Sequence, residues 1–105
     1  MSSTSSEFQE GTELLLDGEL KEPPMYRVFL HNDDYTTMEF VVAVLVDIFH
    51  KTAEEAADIM LSVHEKGIGQ CGVYTLEIAE TRVTRVRLRA RQAGFPLKCT
   101  MEKVE

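Results

Sequence analysis

At 105 residues, 44% of them hydrophobic, the chain is the size of one small domain with enough apolar material for a core. Its formal net charge of −7 argues against general binding to nucleic acid or to an anionic membrane. No apolar run approaches the roughly 18 residues of a membrane span, and no cationic start leads into an apolar stretch as in a signal peptide, so the cytoplasm is the expected compartment.

Residues 1–22 read as a flexible acidic tail. Residues 1–24 hold six acids and one Lys, so −5 of the net charge lies there. Such a polar stretch buries too little surface to offset the entropy of ordering it. Leu14-Leu15-Leu16 is the exception, an apolar triplet suited to transient docking. Pro23-Pro24 stiffens the join to a folded domain spanning 23–105.

Met25 to His31 is rich in β-branched and aromatic residues and predicts a strand. Thr36 with Glu39 three positions on has the form of a capping box, opening a helix to about His50. Phe40, Val41, Val44, Leu45 and Ile48 follow helical spacing along it. Thr52 with Glu55 forms a second box. The helix it opens carries Ala56, Ile59, Met60 and Val63 and stops near Gly67, with Gly69 loosening the loop that follows. Gln70 to Thr75 predicts a short strand, with Gly72 at a close approach. A third helix is expected from Leu76 to Ala93, with Ala79, Val83, Val86 and Ala90 inward and Gly94 closing it. Leu97 to Met101 alternates apolar and polar residues as a half-buried strand does. The order β-α-α-β-α-β places the chain in the α+β class, with three strands in one sheet and helices covering one face.

Chemistry concentrates in the turn after the first strand, where Asn32, Asp33, Asp34, Thr36 and Thr37 stand between two apolar elements. Turn formation explains Asn32 and one aspartate, and N-capping explains a threonine. Neither explains the second carboxylate, because adjacent carboxylates repel and are costly to desolvate. A concave site for a positively charged amine gains from it directly. Neighbouring side chains in an extended loop point to different sides, so one aspartate is expected to enter the site and the other to face solvent or a backbone donor; alternation does not say which, and Asp34 is taken as the inward one. Met60, Val63 and His64 lie at i, i+3 and i+4 and share a helix face. That face is either a core stripe ending in a satisfied histidine or the wall of a pocket. Methionine adapts to variable shapes, and a histidine near the helix end can reach a ligand.

Arg82, Arg85, Arg87, Arg89 and Arg91 on the third helix suit a solvated or protein-contacting face near a helix C-terminus better than a nucleic-acid surface. Cys71 and Cys99 sit in apolar runs and read as reduced, buried small residues. With His31, His50 and His64 they make no zinc spacing, so neither metal nor cofactor is expected. A Cys71-His64-Asp34 triad is conceivable by residue type, but Cys71 lies in a strand without an anion-binding turn. There is no Gly-rich phosphate loop either, so the chain reads as a non-enzyme.

Several motifs taken together resemble the ClpS family. They are Asn32-Asp33-Asp34-Tyr35-Thr36 with Met38-Glu39-Phe40-Val41, Met60-Leu61-Ser62-Val63-His64, Cys71-Gly72-Val73-Tyr74-Thr75, Ala79-Glu80-Thr81 and Pro96-Leu97-Lys98-Cys99-Thr100. They run in the family's order, almost without gaps, from about Pro24 to Lys103. The resemblance implies a three-stranded antiparallel sheet packed against three helices. It also implies a bacterial adaptor of the N-end rule pathway, which recognises proteins whose first residue is Leu, Phe, Tyr or Trp and delivers them to the ClpA unfoldase for degradation by ClpP.

Carried onto this sequence, Asn32, Asp33, Asp34 and His64 resemble the groups that hold the α-amino group. Thr36, Met38, Val41, Met60, Val63 and Leu97 resemble the side-chain pocket, with Met38 at the position that crowds out β-branched first residues. Glu77 and Arg82 resemble the surface that docks on the unfoldase N-terminal domain, and the tail resembles the extension used in hand-off. A monomer is expected, bound neither to nucleic acid nor to membrane. Thr37 stands where the family often has Pro, and Arg82 where Lys is common. The competing expectation is a general protein-interaction domain without selectivity for chain ends.

Overall fold

The computed structural model describes residues 22–105. The expected tail through Lys21, with Leu14-Leu15-Leu16, lies outside the described residues. The first strand, β1 (Met25–His31), has the bounds that its composition predicts. It is the central strand of an antiparallel sheet ordered β2-β1-β3, where β2 is Ile68–Thr75 and β3 is Lys98–Lys103. The alternation of a strand sends Val28 and Leu30 to the core, where both are fully buried. Their cross-strand neighbours Met101 and Cys99 share that face. The pairing with β2 slips between Val28 and Phe29.

The first helix, α1 (Met38–Asp47), starts and stops differently from the expectation. Its N-cap is Thr37, whose hydroxyl accepts from the Phe40 N–H at 3.1 Å. The expected Thr36–Glu39 box does not cap it, because the Thr36 hydroxyl donates to Asp33 instead. The helix ends at Asp47 rather than near His50, and His50 adopts φ 57° in the left-handed region. Ile48 and Phe49 are buried all the same.

The second helix, α2 (Ala53–Lys66), opens on the Thr52–Glu55 capping box with both reciprocal bonds formed, at 3.0 and 3.1 Å. It closes on Gly67 at φ 87°, a conformation that glycine adopts without Cβ strain. β2 follows at once. Gly69 is therefore a buried strand residue, not part of a loosened loop. A Cβ there would stand 2.6 Å from Val63 Cγ2, so its hydrogen side chain is what lets β2 approach α2. Gly72 does make a close approach, to the Tyr74 ring.

The third helix, α3 (Leu76–Ala93), packs against all three strands through Ala79, Val83, Val86 and Ala90, all buried, and ends at Gly94 with φ 80°. An ion pair of 2.7 Å joins Arg89 on α3 to Asp47 at the end of α1. β3 begins one residue after Leu97 and runs two residues beyond Met101. The core is one cluster drawn from both layers, running from Val28 and Leu30 through Val44 and Leu45 to Val86 and Cys99.

Candidate functional site

The loop after β1 is drawn alongside the end of α2 by a hydrogen bond from the Asn32 N–H to the Gly67 carbonyl, 3.0 Å long. Between the loop, the first turn of α1 and the last turns of α2 lies a cavity of about 300 Å³. The loop contributes Asn32, Asp33, Asp34 and Thr36. α1 contributes Met38 and Val41, and α2 contributes Met60, Val63 and His64. The i, i+3, i+4 spacing on α2 therefore forms a cavity wall.

The lining is graded. Val41 and Val63, only 5% and 3% exposed, form a floor continuous with the hydrophobic core. Met60 is half-buried, and Met38, at 45% exposed, stands at the mouth. Asn32, Asp34 and His64 are exposed around the rim. The arrangement offers an apolar group a floor and a cation a set of acceptors in a single hollow.

The two carboxylates differ. Asp33 Oδ1 accepts from the Tyr35 N–H at 2.8 Å and from the Thr36 N–H at 2.7 Å. Its Oδ2 accepts from the Thr36 hydroxyl at 2.7 Å. Burial pushes the Asp33 carboxyl up, but these bonds outweigh it and hold it below the usual aspartate value. Asp34 takes no part in this set.

Of the residues assigned to the pocket, Leu97 is the one that the structure does not bring to it. Its side chain is 6% exposed and belongs to the core cluster. Glu77 and Arg82 lie elsewhere, on α3. Glu77 is exposed in the first helical turn, beside Pro23, Pro24, Thr75 and Leu76. The Arg82 guanidinium lies 4.9 Å above the Tyr74 ring, a cation–π contact.

Two long-range contacts near the site have no local sequence signal. Phe40 packs on Phe95 with centroids 4.9 Å apart, and His31 Nε2 is 2.8 Å from Thr100 Oγ1. Hydrophobicity alone could have nominated the aromatic pair, though not its partners.

Cys71 and Cys99 are free and buried, 1% and 0% exposed. Burial pushes the Cys71 thiol far up and the Cys99 thiol up to about 12, so neither is poised as a nucleophile. Among the described residues no group of His, Cys, Asp and Glu is placed to hold a metal ion, and no helix is long and apolar enough to cross a membrane.

A small α+β domain with an acid-rimmed hollow that has an apolar floor, and with its cysteines buried, has the make-up of a peptide-binding module. The family of the ATP-dependent Clp protease adaptor protein ClpS matches residues 21–100. A ClpS adapter of Oleidesulfovibrio alaskensis is 62% identical over 104 residues, covering 99% of this chain and all of that one. A ClpS adapter of Nitratidesulfovibrio vulgaris (strain Miyazaki F) is also 62% identical, over 93 residues, covering 89% of this chain and 93% of that one. Among solved structures, Agrobacterium tumefaciens ClpS2 bound to L-phenylalaninamide superposes with a TM-score of 0.76 at 36% identity, covering 79% of this chain and 100% of that one. The chain belongs to the ClpS family: it is an adaptor of the Clp protease.

Proposed function

We propose that the cavity binds the first residue of substrate proteins that begin with a free amine and a large hydrophobic side chain, namely Leu, Phe, Tyr or Trp. The adaptor then passes them to a ClpA-type unfoldase for degradation by ClpP. The observation that carries this reading is the joining of an apolar floor (Val41, Val63) to an acidic rim (Asp34) in one hollow. A volume of about 300 Å³ suits one side chain, being at the low end of the roughly 300–1,000 Å³ typical of small-ligand pockets. The ligand of the Agrobacterium protein supports the reading by its chemistry. L-phenylalaninamide has a free α-amine, a benzyl side chain, and a carboxamide where a peptide bond would continue.

The energetics divide between the two ends. Burying a Leu- or Phe-sized side chain contributes about 1.5–3 kcal/mol, too little to separate a chain end from an internal residue. The ammonium supplies that separation. Asp34 offers it a counter-charge, and the Asn32 carbonyl and a ring nitrogen of His64 offer two further acceptors. An acetylated or internal residue forfeits this pair; Asp34 is exposed until a bound peptide covers it, so the loss lies at the low end of the about 2–5 kcal/mol of a buried pair, or about thirtyfold in affinity.

Glu77 and Arg82 on α3 carry the contact with the unfoldase N-terminal domain, away from the cavity, and the N-terminal segment takes part in hand-off. The adaptor acts as a monomer in the bacterial cytoplasm. The test is fluorescence anisotropy with peptides that differ only in the first residue, each with a free or an acetylated amine. Strong preference for free-ended Leu, Phe, Tyr or Trp peptides is expected, and it should be lost in Asp34→Asn and in His64→Ala. Equal binding of acetylated or internal apolar peptides would refute the reading and favour a domain without end selectivity.

A further inference from the structure

Building on the amine-binding reading above, we infer that Asp33 is a positioning residue: its carboxylate holds the loop that presents Asn32 and Asp34, and acts on the amine only through that loop. The two aspartates are neighbours in sequence and both border the cavity, so residue type cannot separate them. Their hydrogen bonding does. Asp33 accepts three bonds of 2.7–2.8 Å, all from donors on Tyr35 and Thr36. A carboxylate has about four lone-pair positions, so about one remains for any ligand.

The loop needs such a tie. Its start is pinned by the Asn32 N–H on the Gly67 carbonyl, and its end by the Thr37 cap of α1. Between these anchors, the Asp33 clamp gathers the backbone N–H groups of Tyr35 and Thr36 onto one oxygen and the Thr36 hydroxyl onto the other. Asp34 lies inside the clamped span, and Asn32 immediately precedes it. Acceptors that converge on three ammonium hydrogens must be held to within about 0.5 Å, which a free loop does not provide. The depressed pKa of Asp33 agrees with this role, since the clamp needs the ionised form that accepts from all three donors.

Asparagine separates the two roles. In Asp33→Asn the amide oxygen still accepts from both backbone N–H groups. The amide NH₂ can donate to the Thr36 hydroxyl, reversing that one bond. The clamp survives and the charge is lost. In Asp33→Ala both are lost. In Asp34→Asn the clamp is intact and the charge at the amine is lost.

The assay is anisotropy of a Phe-initiated peptide with a free or acetylated amine, together with amide hydrogen exchange at Tyr35 and Thr36. The expected result for the free-ended peptide is weakening of about tenfold or more in Asp33→Ala, where the acceptors are misplaced. Asp34→Asn should also weaken it about tenfold or more, through loss of the charge pair. Asp33→Asn should weaken it clearly less than either of these and keep its preference for the free amine, because its amide preserves the clamp. Tyr35 and Thr36 should stay protected from exchange in both Asn variants and open in Asp33→Ala. Asp33→Asn binding as weakly as Asp34→Asn would overturn the inference by showing that the Asp33 charge meets the amine. Unimpaired binding by Asp33→Ala would overturn it too, by showing that no clamp is needed. Equal binding of free and acetylated peptides by the wild type would instead remove the amine site itself, and the inference with it.

Discussion

Gly69 offers a direct test of how the cavity is coupled to the fold. A methyl group there would stand 2.6 Å from Val63 Cγ2, 3.0 Å from the Ile59 carbonyl oxygen and 3.3 Å from Ile59 Cγ2. Ordinary contact begins at 3.4 Å. The Ile59 oxygen is backbone within α2 and yields little, so most of the adjustment falls on Val63, which is 3% exposed and walls the cavity. Overpacking of this kind costs about 1–3 kcal/mol, and alanine returns about 0.4–1 kcal/mol by restricting the unfolded chain. Gly69→Ala should therefore destabilise by about 1.3 kcal/mol, lowering Tm by about 5–10 °C for a domain of this size. Because Val63 is pressed toward the cavity, affinity should fall more for Phe- than for Leu-initiated peptides. Gly67→Ala is the control. Its Cβ meets nothing within 4 Å, and only its φ of 87° penalises alanine, by about 1–2 kcal/mol. It should lower Tm while leaving the order of first residues unchanged. Thermal melts and the peptide panel read both effects. A Gly69→Ala protein with wild-type Tm and wild-type preference would refute the packing argument.

Two further predictions follow from ionisable groups. Burial, helped by Lys98, holds His31 below the ordinary imidazole value of 6.5. The unfolded chain therefore takes up the proton first, and the stability due to neutral His31 is full above pH 6.5 and falls on acidification below it. Urea melts between pH 5 and 7.5 should show this loss in the wild type and less of it in His31→Gln, and identical slopes would contradict it. Asp33 acts in the same direction lower down, below its ordinary value of 3.8. As for the thiols, a disulfide reagent at pH 8 should leave Cys71 and Cys99 unlabelled in the native protein and label both in guanidinium. Rapid native labelling would mean that one thiol is accessible and would reopen the enzymatic reading.

The parts of the fold legible in the sequence are those decided locally. The Thr52–Glu55 box forms as its local spacing dictates, with both reciprocal bonds made. α3 has the predicted bounds because a strong four-point apolar stripe ends at a glycine. Thr36 had the same credentials as Thr52, yet Asp33 captures its hydroxyl and its N–H, and capping passes to Thr37. Gly69 was read as a loosener of chain, whereas its role is set by Val63, which β2 meets only in the folded protein. Leu97 was assigned to the pocket by family likeness alone; it lies in the same buried cluster that supplies the floor residues Val41 and Val63, but does not itself line the cavity. The cavity itself was largely legible because a loop motif and a helical i, i+3, i+4 set supply it. The different surroundings of Asp33 and Asp34 were not, since hydrogen-bond partners decide them.

The site thus has two parts of different physical origin, and they should fail differently. Its floor is an unfilled extension of the core: Val41 and Val63 belong to the same buried cluster as Leu30 and Leu45. Changes there alter unfolding and the size of side chain accepted together, because one set of contacts serves both. The rim belongs to a loop on the surface, held by the Asn32–Gly67 bond, the Asp33 clamp and the Thr37 cap. Its acceptors are exposed, so altering Asp34 or His64 removes little that the fold depends on. If the cavity reads chain ends as proposed, that discrimination can therefore be changed almost independently of stability, whereas discrimination of side-chain size cannot.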